Sequence, residues 1–118
     1  MKKYIAEFIG TFFLVLTIGC AVIGHGAGPF APLAIGFTVL VGAFSVGNIS
    51  GGAFNPAVAA GISVLGLSSW ANIWIYLVAD FAGGAVAAGA FNALNPAERR
   101  EPHLPNSREQ PKEQTSAA

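Results

Sequence analysis

Apolar residues fall into three long runs and one short one, with polar residues between and after them. From Ile5 to Ile23 a single charge, Glu7, interrupts a stretch long enough to cross a bilayer, which takes ~20 residues. Gly24-His25-Gly26-Ala27-Gly28-Pro29 reads as a tight turn, and Ala31 to about Val46 forms a second span that ends at Gly47-Asn48. The third runs from Trp70 to about Leu94, with Trp70, Trp74 and Tyr76 near one end as an interfacial aromatic belt. From Asn95-Pro96 onward the chain turns to Pro, Glu, Arg, Gln and Ser. So little apolar surface cannot offset the entropy of ordering, so residues 96–118 are expected to form a disordered tail behind a domain of residues 1–95.

The short run carries the sharpest local signal. It follows Ser50-Gly51-Gly52-Ala53-Phe54-Asn55-Pro56 and ends at the Gly66-Leu67-Ser68-Ser69 break. Asn is a preferred N-cap and Pro suits the first helical position, where the missing N–H has no partner anyway. Ala57 to Leu65 then makes a helix less than half the length of a span. A helix that begins inside membrane-like sequence needs its non-helical approach buried in protein or facing a water-filled cavity. The pattern predicts an all-α membrane protein with three transmembrane helices and one re-entrant half-helix, and a pore is the first functional hypothesis.

Composition agrees with that setting. The 118 residues are 53% hydrophobic and 10% charged, against about 25% charged in a soluble domain. Every Lys and Arg lies in the first three residues or beyond residue 98, and between Tyr4 and Pro96 the acids and bases are Glu7, His25 and Asp80. With zero net charge and no basic patch, no nucleic-acid partner is expected. A single cysteine, Cys20, excludes an internal disulfide and a Cys-x-x-Cys site. No Ser/His/Asp set, phosphate loop or metal cluster is visible, so neither an enzyme nor a metal or cofactor is expected.

Residues 6–16, AEFIGTFFLVL, together with Asn55-Pro56-Ala57 inside SGGAFNPAV, resemble the major intrinsic protein family of aquaporins and glycerol facilitators. The resemblance spans roughly residues 4–95. Members of that family carry two such units, inverted in the membrane, with six spans and two Asn-Pro-Ala half-helices meeting at mid-bilayer. This chain has three spans and one Asn-Pro-Ala, so the resemblance implies half a channel. Residues 1–35 look like the opening of a bacterial member and residues 36–96 like the end of a second repeat, which implies a junction between them.

The resemblance gives Asn55 the role of offering amide donors to a passing water or hydroxyl. The helix start adds a partial positive charge of ~0.5 e, which disfavours cations. By offset, the places of the family's selectivity Arg and His hold Val58 and Ala43, with Gly52 at a third lining position. With Asn55, Pro56 and Ala57 these make the expected pore lining. Its small apolar walls imply passage of water or small neutral solutes such as glycerol, ammonia or carbon dioxide.

Glu7 has Thr11 at i+4 on its own face. Family resemblance implies that Glu7 accepts hydrogen bonds from the Asn-Pro-Ala loop; the alternative is a carboxylate that snorkels near Lys2 and Lys3. Asp80 is an intramembrane acid and a functional candidate by default, either a relay or a polar residue facing a lumen or a subunit contact. Gly83-Gly84 with Ala87-Ala88 and Gly89, Gly10 with Gly19, and Gly36 with Gly42 read as close helix-crossing positions.

Two further classes stand beside the channel. Lys2-Lys3, an apolar run and Thr17-Ile18-Gly19-Cys20 also read as a lipoprotein-type export signal. The chain also reads as a non-conducting fragment, or as an interaction partner of a full-length member. The expected location is a cell membrane, a bacterial inner membrane, with lipid and a small solute as partners. Assembly is expected with a second copy or a full-length relative. Lys2 and Lys3 against Arg99 and Arg100 balance the positive charge across an odd number of spans. Mixed insertion follows, and it is what an inverted pair requires.

Overall fold

The computed structural model of the chain describes residues 1–98; the expected disordered tail falls almost wholly in residues 99–118, outside the described part. All regular structure in the described part is helical. α1 spans Lys2–Ile18 and continues through a wider π-helical turn, Gly19–Ile23. α2 covers Ala31–Ser50, α3 Pro56–Val64 and α4 Ile73–Leu94. With their flanking turns, α1, α2 and α4 are long and apolar enough to cross a membrane. α3, with 9 residues, is about 13 Å long at 1.5 Å per residue and does not.

Two sequence readings are corrected. The second helix does not stop at Gly47-Asn48 but runs to Ser50. Its stop is Gly51, left-handed at φ 104°, whose N–H bonds the Gly47 carbonyl at 2.8 Å. Tyr76 is not part of an aromatic belt: it is 2% exposed, whereas Trp70 and Trp74 are more than half exposed. Trp74 meets Tyr4 edge to face with ring centroids 5.2 Å apart.

α1 and α4 run parallel and touch. The buried face of α4 is Tyr76, Ala79, Asp80, Gly83, Ala87 and Phe91, and that of α1 is Ala6, Glu7, Gly10 and Thr11. A Cβ at Gly83 would stand 2.6 Å from the Phe8 carbonyl oxygen and 3.2 Å from the Phe12 nitrogen, so backbone meets backbone there. Further along, Gly19 receives the Phe91 ring and Gly84 lies against Val15. In lipid no hydrophobic drive separates one helix pairing from another, and such close van der Waals fit is what selects one. Gly36 and Gly89 have nothing within 4 Å of their Cβ positions, so those two expected crossing positions are unused among the described residues.

α2 runs antiparallel to α1, with Thr38 bonded to Thr17 at 3.1 Å, and only its ends, Ala31 and Ser50, are buried. After Ser50 the chain doubles back. Gly52 lies against Gly47 and Ala43, and the Phe54 ring reaches Gly42. Eight residues of helix separate Gly42 from Ser50, so the loop re-enters the bundle by roughly 12 Å. α3 then leads out again, and Ser68 beyond it approaches the same Tyr76 hydroxyl that holds Ser50. Loop and half-helix therefore go in and come out at one end.

The α1–α4 contact yields a pair of contrasting substitutions. Gly83→Val has no flexible side chain to push aside and is expected to destabilise by at least the ~1–3 kcal/mol of an overpacked site. Gly89→Val faces open space and is expected to leave stability unchanged within about 0.5 kcal/mol. Thermal unfolding of the two purified variants in one detergent checks both.

Candidate functional site

The loop before α3 reverses direction through Gly51, Gly52 and Phe54, all with positive φ (104°, 65° and 49°). Glycine adopts that region freely, but Phe does not, and a bulky residue held there needs compensation. Glu7 supplies part of it. Its side chain is fully buried, and its two oxygens accept from Ala53 N at 3.2 Å and Phe54 N at 2.6 Å. Hydrogen bonds from amides to a carboxylate are about twice as strong as neutral ones. The Phe54 ring supplies the rest: it fills a slot between α1 and α2 floored by Gly10 and Gly42, where a Cβ on either glycine would overlap it.

With the loop fixed, Asn55 begins the helix. Its backbone is extended, its Oδ1 accepts from Ala57 N at 2.8 Å and its carbonyl accepts from Ala59 N at 3.0 Å. Pro56 takes the first helical position. The side-chain oxygen is thus committed to the cap while the amide nitrogen makes no protein hydrogen bond among the described residues, leaving two donors on an exposed side chain. Ala57 and Val58 are exposed beside it, Val58 by 46%. Ala43 is exposed on α2, and half-buried Gly52 packs against it. Loop and α2 thereby bring two of the expected lining residues together.

Behind the loop, Thr11 donates to Asp80 Oδ1 at 3.0 Å, one turn along α1 from Glu7. Asp80 is 2% exposed, and its Oδ2 has no hydrogen-bond partner among the described residues. Both acids face the α1–α4 seam, while Lys2 and Lys3, the basic residues of α1, stand exposed at its start.

The sequence reading missed four residues. Tyr76 donates to the Ser50 carbonyl at 2.6 Å and its hydroxyl lies 3.4 Å from Ser68 Oγ, while Phe54 is the wedge. A signal for Tyr76 was present: it stands four residues before Asp80 and seven before Gly83, on their helix face.

A family model described as Major intrinsic protein matches residues 1–91. "Aquaporin NIP1-1" of Oryza sativa subsp. japonica is 36% identical over 95 residues, 80% of this chain and 33% of that protein. "Glycerol uptake facilitator protein-like 6" of Lactiplantibacillus plantarum is 39% identical over 95 residues, again 80% of this chain and 44% of that protein. "Aquaporin-B" of Dictyostelium discoideum is 45% identical over 67 residues, 57% of the chain and 22% of that protein. The chain spans about a third to under a half of the first two. A 95-residue match that takes in 80% of 118 residues leaves no room for a long gap, so one continuous stretch of the Oryza protein accounts for most of the chain. No solved structure matches.

The loop geometry orders a set of variants. Glu7→Gln keeps one acceptor but sets an amide NH₂ against a loop N–H, and is expected to lower stability by ~1–3 kcal/mol. Glu7→Ala leaves both N–H groups unmet and should lower it further. Melting of Glu7→Ala at the native temperature would show that the carboxylate does not hold the loop.

Proposed function

This chain belongs to the major intrinsic protein family, and on that premise we propose that it is half of a passive channel for water or small neutral solutes. The pore forms when a second half packs against it. The observation that carries this reading is the unpaired amide of Asn55, exposed at a helix start that a buried carboxylate holds about 12 Å inside the bundle. Donors fixed at that depth, with the positive end of α3 behind them, offer hydrogen bonds to a neutral solute and repel a cation.

Asn55, Ala57 and Val58 form the wall on the α3 side, with Gly52 and Ala43 on the α2 side. Pro56 sets the helix start, while Glu7, Thr11, Gly83 and Gly84 form the scaffold behind. Val58 and Ala43 are small and apolar, so the constriction is wide enough for glycerol-sized solutes as well as water. The partner is a second copy inserted the other way up, or a full-length member of the family, in a bacterial inner membrane. A second reading, a non-conducting fragment or an accessory to a full-length channel, is favoured by one fact: the matched stretch is only 33% and 44% of the two relatives compared.

Osmotic swelling of proteoliposomes tests the proposal. The native chain should swell vesicles in water and glycerol gradients, and crosslinking in the same vesicles should trap a dimer. Flux from a protein that stays monomeric would refute the two-half pore, and absence of flux favours the fragment reading. Val58→Arg narrows the wall and adds a charge, and should suppress glycerol flux before water flux. Glycerol flux equal to that of the native protein would show that Val58 does not line the path.

A further inference from the structure

Tyr76 does more than pack. Its hydroxyl proton goes to the Ser50 carbonyl, the last residue of α2, at 2.6 Å. Helix-terminal carbonyls have no partner within their own helix. With that proton committed, the hydroxyl oxygen remains an acceptor for Ser68 Oγ at 3.4 Å. Ser50 lies before the re-entrant loop and Ser68 after α3, so one phenol oxygen ties together the two flanks of the whole re-entrant unit. The ring beneath it is 2% exposed and packs with Ala53 and Ala59, two residues before Asn55 and four after it. A side chain at Gly51 would crowd the hydroxyl at 3.3 Å, so α2 ends hard against it.

We propose that Tyr76 is the positioning residue of the site: it closes the re-entrant unit at its base and so sets the depth and aim of the Asn55 amide. Glu7 fixes the middle of the loop and Phe54 wedges its tip, while the Tyr76 hydroxyl alone among the described side chains bonds both flanks. The inference relies on the channel reading for its flux measurement alone.

The conservative Tyr76→Phe variant removes the hydroxyl and keeps the ring. In the full chain in lipid nanodiscs, amide hydrogen exchange over residues 51–57 should accelerate about fivefold, the scale of one net hydrogen bond, with α1 and α4 unchanged. Ser68→Ala, which removes only the outgoing tie, should accelerate exchange around residues 65–68 and leave the loop protected. In proteoliposomes Tyr76→Phe should change the ratio of glycerol to water flux, a quantity that a smaller folded fraction leaves untouched. Unchanged exchange in the loop would overturn the proposal, as would equal acceleration in all three long helices. A native flux ratio in a conducting Tyr76→Phe protein would do the same. If the native chain passes nothing, the channel reading falls and the exchange measurement still decides the role of Tyr76.

Discussion

A backbone N–H at membrane depth has no water to bond, and each one left unmet costs several kcal/mol. A helix satisfies its own amides; the turn that precedes a re-entrant helix cannot. Ala53 and Phe54 are two such amides, and the carboxylate of Glu7 takes both. The arrangement is reciprocal, because a carboxylate in the same place is also untenable without donors. Neither partner is stable at that depth alone. Their pairing allows a helix start to lie inside the bundle of three long helices described, and the position of Asn55 follows from it.

The rest of the fold brings Glu7 and the loop to one place. Gly83 lets α4 lie on the backbone of α1, which sets the face on which Glu7 and Thr11 meet α4. Gly10 and Gly42 open the slot that receives Phe54, so α1 and α2 clamp the loop from both sides. These glycines serve close approach rather than turning. α2 contributes little else to the interior, and most of its length is exposed.

Much of this was legible in the chain, and the remainder was not for identifiable reasons. The three spans follow from apolar length, and the start of α3 from the Asn-Pro pair, since capping chemistry is local. The end of α2 was misplaced because Gly47-Asn48 looks like a break, while the true stop depends on the left-handed turn at Gly51. The sequence pattern puts Tyr76 in a belt because large apolar residues are spread all round α4, so hydrophobic periodicity gives no inner face. Its inner face is marked instead by small and polar residues, Asp80, Gly83 and Ala87. Phe54 could not be read as a wedge at all, since Gly10 and Gly42 become neighbours only when α1 and α2 pack.

The central claim is that one buried carboxylate holds the loop that places Asn55. A dipolar-recoupling solid-state NMR measurement in lipid bilayers, between a ¹³C label in the Glu7 carboxyl group and a ¹⁵N label in the Phe54 amide, tests it directly. With the amide nitrogen 2.6 Å from a carboxylate oxygen, strong dephasing of the carboxyl signal is predicted. No dephasing beyond natural abundance would place Glu7 away from the loop and contradict the account.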